Sequence, residues 1–354
     1  MASRFLPVPH AQAACAASLL FVLLVGACKH PTPAAPDAAP LAAPGFLKGQ
    51  LHVHTTASGD GKLSVGEVIE LYRVHGYDFI VLTDHNRVAE LPPPSDLLVL
   101  PGVELTNNLR ACDPPPPPEQ PCLMHVNALL IDPARTTAEA LAQAVTPESD
   151  AIPPRLEVFR RSFEAVARLG GIAQLNHPNL YFGADADILV ALSGAGLRLF
   201  EVANEGGETA NEGDATHPST EALWDAALDR GARLFATASD DLHEASEVDR
   251  GFVMVRAAKD VSAIRAALER GDFYASTGLL LDRLELAPDA IAIDVRASQA
   301  PAVFEVVGPG GRVVQRAEGW GLRLDPRALV LPWVRIRVTA TDGRRAWTQP
   351  VWRP

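Results

Sequence analysis

Residues 48–87 read KGQLHVHTTASGDGKLSVGEVIELYRVHGYDFIVLTDHNR and hold one full strand–helix–strand period. His52-Val53-His54 closes a short strand-like run, Gln50–Val53. Side chains at i and i+2 of a strand share a face, so His52 and His54 can grip one ion. Ser64 with Glu67 three residues later is a capping box, and Gly76 ends the helix it opens. Asp78–Leu82 is β-rich and runs into Thr83-Asp84-His85. Between the two histidine clusters lies Asp60, in a Gly-flanked loop. Imidazole suits zinc, iron and manganese, and carboxylate draws the preference toward harder cations.

The same rhythm continues outward. Apolar runs end at Gly102-Val103-Glu104, at Asn176-His177-Pro178, near Asn204 and at Ser239-Asp240-Asp241-Leu242-His243, and the apolar segment Leu123–Ile131 carries His125. Helices are expected over Arg155–Leu169, Ser219–Arg230 and Ser262–Arg270. Alternating βα units imply an α/β fold with a largely parallel sheet, open or closed into a barrel. In a (β/α) barrel the strand ends gather on one face, so scattered polar residues can meet there. From Arg283 the pattern changes to short alternating runs. In WVRIRVTATD, Val334, Ile336 and Val338 alternate with Arg335, Arg337 and Thr339, the period of a half-buried antiparallel strand. Residues 281–354 therefore read as a small antiparallel β-sandwich.

The formal net charge of −12 over 354 residues opposes nucleic-acid binding on a basic surface. Residues 13–27 are apolar apart from Ser18, too short for a comfortable membrane span and shaped like a secretory h-region. The ending Leu24-Val25-Gly26-Ala27-Cys28 resembles the lipobox of bacterial lipoproteins, which implies residues 1–27 as a cleaved signal peptide and a lipid on Cys28. Lys29 after the cysteine favours, by the same resemblance, outer-membrane sorting on the periplasmic side. An ordinary signal peptide or an uncleaved anchor is the alternative. Residues 28–45, Pro/Ala-rich, read as a tether. Cys112 and Cys122 flank a run of five prolines and form either a disulfide, which export permits, or a pair of free or metal-binding thiols.

Six histidines, 52, 54, 85, 125, 177 and 243, lie at or beside expected strands, together with Asp60, Glu104 and Asp241. The pieces LHVHTTASGDGKLS, FIVLTDHN, PGVELT, HVNALL, QLNHP and SDDLH, in that order, resemble the PHP (polymerase and histidinol phosphatase) superfamily of metallohydrolases over residues 46–280. Within it, GYDFIVLTDHN and the late GDFYASTGLLLDRLEL resemble the exported CehA/McbA-like branch, which includes carbamate-ester hydrolases. The resemblance implies a distorted (β/α)7 barrel and a site for two or three divalent ions, Zn, Mn or Fe. It assigns His52, His54, Glu104 and Asp241 to one metal. Glu104 bridges to a second, also held by His125 and His177, and Asp60, His85 and His243 hold the third. Gly59 departs from the family's Ser-Asp-Gly order, and Asp240 competes with Asp241 for the ligand role.

The expected activity is hydrolysis of a small-molecule phosphate ester by metal-activated water, with a carboxyl or carbamate ester as the alternative substrate. A non-catalytic envelope binding lipoprotein is the competing reading. Glu104, Asp84 and Arg87 are the catalytic candidates. Asp84 either orients a ligand imidazole or caps a strand end. Arg87, Arg110 and Asn176 are candidates for contact with an anionic substrate, and Asn204 and Glu205 for lining the pocket.

Overall fold

Ser64 is extended and accepts a hydrogen bond from the Glu67 amide, while the Glu67 carboxylate accepts from the Ser64 amide at 2.8 Å. This closed capping box starts α1 (Val65–Val74), which connects β1 (Phe46–Gln50) to β2 (Phe79–Leu82) and buries Val68 and Tyr72. In this computed structural model the described residues are 45–353 apart from 94, 148, 149 and 208. The expected signal peptide, the lipid-bearing Cys28 and all of the tether except Gly45 lie outside them. β1 and β2 pair in parallel, and all four residues of β2 are buried, as befits a strand covered on both faces.

The chain continues through β3 (Leu98–Leu109), β4 (Cys122–Leu129), α2 (Ala138–Ala144), α3 (Arg155–Arg168), β5 (Ile172–Leu175) and α4 (Ala186–Gly194). It then forms β6 (Leu199–Asn204), α5 (Thr220–Asp229), β7 (Phe235–Ser239), β8 (Phe252–Arg256), α6 (Val261–Arg270) and β9 (Phe273–Ser276). The fold is α/β. Parallel pairs run through β1–β2–β3 and through β5–β6–β7. β4 joins the two sets antiparallel to both neighbours, and β8 pairs antiparallel with β1. β4 reverses because 110–121 is a proline-rich loop with no helix to carry a parallel crossover. Cys112 and Cys122 close that loop as a disulfide, which stabilises by about 2–3 kcal/mol on the chain-entropy account.

Beyond the ends of β1 and β7 the chain meets again. Val53 and Leu242 form an isolated parallel bridge, and the His54 amide donates to the Leu242 carbonyl at 2.9 Å. The outer layer of helices packs on Phe159, Phe200 and Trp224, while Val53, Tyr72, Ile80 and Phe252 belong to a second buried cluster.

The C-terminal part comprises β10 (Leu281–Ala287), β11 (Ala290–Val295), β12 (Ala302–Gly308), β13 (Arg312–Gly319), β14 (Gly321–Leu324), β15 (Trp333–Ala340), β16 (Arg345–Thr348) and β17 (Val351–Trp352). β10–β11–β14 is a separate antiparallel sheet, whereas β13–β12–β15–β16 extends the large sheet by pairing β16 with β9. The two layers bury Phe304, Ile336 and Val338 against Leu284, Ile293 and Leu322. Residues 281–353 are thus hydrogen-bonded across the expected 280/281 boundary. The alternation in β15 holds for Val334, Ile336 and Val338 but fails at Arg335, which is 1% exposed. Its guanidinium clamps Asp225 of α5 with two bonds of 2.8 Å. Among the described residues no helix is long and apolar enough to cross a membrane.

Candidate metal centre

His52 and His54 lie just past β1, not within it, and the Val53–Leu242 bridge holds the segment extended. Their ring centroids lie 5.0 Å apart, so the i, i+2 logic survives just beyond the strand. Of the two roles expected for Asp84, its contacts match the backbone cap. Its carboxylate accepts from the Thr55 amide at 2.7 Å and from the Thr55 hydroxyl at 3.0 Å. It therefore fixes the backbone that follows His54 and orients no imidazole. Arg87 is exposed, and among the described residues no hydrogen bond or ion pair joins its side chain to the cluster. Arg110 is likewise exposed.

The nine expected ligands converge. Glu104, fully buried in β3, is the hub: its Oε1 lies 3.3 Å from His52 Nε2, 3.2 Å from His125 Nδ1 and 3.4 Å from His177 Nε2. Its Oε2 lies 2.7 Å from His85 Nδ1 and 3.6 Å from His54 Nε2. Asp241 Oδ1 sits 3.1 Å from both His52 Nε2 and His54 Nε2. On the outer side Asp60 Oδ2 is 3.1 Å from His85 Nε2 and 3.5 Å from His243 Nε2. Gly59 does not displace Asp60: it adopts a φ of +92°, and a Cβ on Gly61 would lie 2.3 Å from the Thr55 carbonyl oxygen. Both glycines let the loop fold tightly onto the His54-Thr55 backbone. Donor atoms fall within metal-binding reach as three groups, His52/His54/Glu104, Glu104/His125/His177, and His54/Asp60/His85/His243.

Asp240 resolves against the ligand role. It accepts from the Tyr72 hydroxyl at 2.9 Å and from the amides of Asp249, Arg250 and Gly251. Burial raises its pKa to about 6. Asp241 turns the other way, with a φ of +49°. His177 also stands at positive φ, +24°, and such strain at non-glycine positions persists where surrounding contacts over-determine it.

Neighbouring side chains fix the ligands. His243 Nδ1 donates to the Asp241 carbonyl at 2.9 Å, leaving Nε2 toward Asp60. Ser58 Oγ lies 2.8 Å from His54 Nδ1, and Asn108 Oδ1 lies 2.7 Å from His125 Nε2. Asn176 donates to Glu104 Oε1 at 2.7 Å, so its amide is committed to a ligand. Asn204 donates to Asp241 Oδ2 at 3.2 Å. Glu205 lines a separate cavity of about 630 Å³ with Arg250, Arg345 and Trp347. Sequence reasoning missed Glu201, whose Oε1 lies 2.9 Å from His52 Nδ1. A lone acid inside the otherwise uncharged run LFEVAN was the available signal.

The electrostatics are those of a cation cage. Burial by itself pushes Glu104 up, but His125, His52 and His85 hold it well below the usual carboxylate range. Asp241 is also held well below, against its burial, by His52 and His54. Burial pushes His54 and His125 down. His52 is desolvated, yet Asp241, Glu201 and Glu104 raise it well above its ordinary value. His85 rises to about 9, where the Glu104 charge outweighs burial.

His52 Nε2, His54 Nε2 and Asp241 Oδ1 are buried and make no well-aligned hydrogen bond, although Asp241 Oδ1 lies 3.1 Å from each nitrogen. Orphaned buried polar atoms are costly. A cation shared by their lone pairs removes the cost, and mixed imidazole and carboxylate donors fit zinc, manganese or iron. The buried clusters can therefore hold divalent ions. No protein-family model matches the chain, and no curated protein does.

Proposed function

We propose that this chain is a PHP-type, metal-dependent hydrolase that cleaves phosphate esters. The observation that carries the reading is the gathering of nine imidazole and carboxylate side chains in one cluster, five of the imidazoles within 3.6 Å of Glu104, with three buried atoms left unpartnered. On this reading the α/β part is a distorted (β/α)7 barrel, drawn together between β1 and β7 where Val53 meets Leu242. Residues 1–28 join the proposal from sequence alone, as the signal and lipid anchor of an exported envelope protein.

His52, His54, Glu104 and Asp241 would hold one ion, Glu104, His125 and His177 a second, and Asp60, His85 and His243 a third. Bound divalent ions supply a water of lowered pKa and polarise the ester oxygen. The chain's own part is to aim acceptors. Asn176 pins Oε1 of Glu104, and Thr106 lies 3.4 Å from Oε2. Substrate enters on the side of Asp60, His85 and His243, the ligands that retain solvent exposure.

A carboxyl or carbamate ester is the second reading of the same site. It is favoured by Asn176 being spent on Glu104, and by the exposed Arg87 and Arg110 lying outside the cluster's contacts. The test is elemental analysis of the purified full chain. Chelation follows, then re-addition of Mn, Zn or Fe, with aryl phosphomonoester, phosphodiester and carboxylester probes. Turnover lost on chelation and restored by metal is expected. Turnover indifferent to chelator overturns the proposal, and bound metal without turnover on any probe leaves a binding protein in its place.

A further inference from the structure

Glu201 occupies the middle of β6 with no exposed surface. Five groups converge on its carboxylate. Oε1 lies 2.9 Å from His52 Nδ1, 3.1 Å from Gln174 Nε2 and 2.6 Å from Ser239 Oγ. Oε2 accepts from the His177 amide at 2.7 Å and from Asn204 Nδ2 at 2.8 Å. Gln174, His177 and Asn204 present only hydrogens here, and the serine hydroxyl and His52 Nδ1 complete the set as donors. A carboxylate carries lone pairs alone and accepts from all five. A glutamine in its place would point its own N–H groups at other donors whichever way it turned.

The same count decides the imidazole. Since His52 Nδ1 donates, a neutral His52 keeps its lone pair on Nε2, the atom that faces Asp241 and Glu104. The second oxygen holds the amide of His177 at its positive φ. Asn204, gripped by Glu201, reaches on to Asp241 Oδ2 at 3.2 Å. One buried carboxylate thus touches a ligand of the His52 group directly, the backbone of the His177 group directly, and Asp241 through one intermediary. None of its hydrogen bonds goes to Asp60, His85 or His243.

We infer that Glu201 is a positioning residue that sets the two inner metal groups jointly and leaves the outer group independent. The inference rests on the cluster being a metal centre. Carboxylate partners of ligand histidines fix ring orientation, and their loss weakens metal binding.

The test is titration of the chelator-treated full chain with Mn²⁺, followed by the electron paramagnetic resonance signal of free Mn²⁺, alongside the melting temperature of the metal-free protein. Glu201→Gln removes the charge. Glu201→Asp keeps it but withdraws it by one methylene, and serves if the amide variant does not fold. Both are expected to weaken the inner ions by about 10–100-fold while the outer ion binds as in the wild type. Inner-ion affinity equal to wild type overturns the inference. A uniform loss at every ion, accompanied by a lower metal-free melting temperature, also overturns it, because that is the mark of a general structural role. A wild-type chain that takes up no Mn²⁺ overturns the metal-centre reading itself, and so differs from a wild type that binds beside a variant that binds equally well.

Discussion

Among the described residues, two charge clusters stand out, built on opposite plans. In the cluster around Arg335, between α5 and β15, donors meet acceptors. Arg335 bonds Asp225 through two nitrogens and reaches Glu221 at 2.9 Å, and Arg337 bonds Glu305 at 2.9 Å and Glu221 at 3.1 Å. Arg335 also lies over the Trp224 ring, 4.7 Å from its centroid. In the cluster around Glu104, imidazoles and carboxylates crowd together, and three buried atoms have no partner. The first cluster pairs opposite charges, leaving Arg335 Nη1 without a partner, and serves cohesion between the α/β part and the C-terminal strands. The second asks for a cation. Buried charge alone does not mark a functional site; an unbalanced excess of converging acceptors does.

The sharpest way to break this contrast is to cut each hub and read both outcomes. Glu104→Ala removes the side chain common to the two inner groups and in contact with His85. Activity in the proposed assay is expected to fall more than about 10³-fold, beyond what removal of a single transition-state donor costs, with loss of bound metal by elemental analysis. Retained metal and turnover would sink the reading of Glu104 as hub. Arg335→Met keeps the stem but leaves Asp225 and Glu221 buried without their guanidinium. Such one-sided removal is expected to cost about 3 kcal/mol or more in denaturant unfolding, with metal content unchanged. If metal content falls in step with stability, the two clusters are not separate devices.

The sequence made the candidate ligand positions legible because histidine and acid in or beside apolar runs are unusual neighbours, and nine of them recurred in order. It hid Glu201 because an acid flanked by Phe200 and Val202 reads as the solvent side of an alternating strand. Only the covering of β6 on both faces turns it inward. Arg335 was hidden for the same reason: alternation marks it as outward, and Asp225 of α5, which receives it, is 110 positions away. Asp84 was read by proximity to His85, whereas its partner Thr55 is a long-range neighbour across β1 and β2. The reversal of β4 was unread because apolar periodicity carries no strand direction.

The smallest expected effect separates the clusters by pH. In metal-free protein His85 has its pKa raised from 6.5 to about 9 by Glu104, against its burial. A group whose folded pKa exceeds its unfolded value stabilises fully below the lower value, and that contribution drains away as pH rises through the higher one. The chelator-treated protein is therefore expected to lose about 1–3 kcal/mol between about pH 6.5 and 9 from this residue. Metal loading reverses the sign, because ligand imidazoles must be deprotonated to bind, so affinity and the stability linked to it rise over the same window. The paired arginine cluster supplies no such crossover, as guanidinium does not titrate there. Melting curves against pH with chelator and with Mn²⁺ should diverge; parallel curves would mean that ions, if bound, do not engage His85.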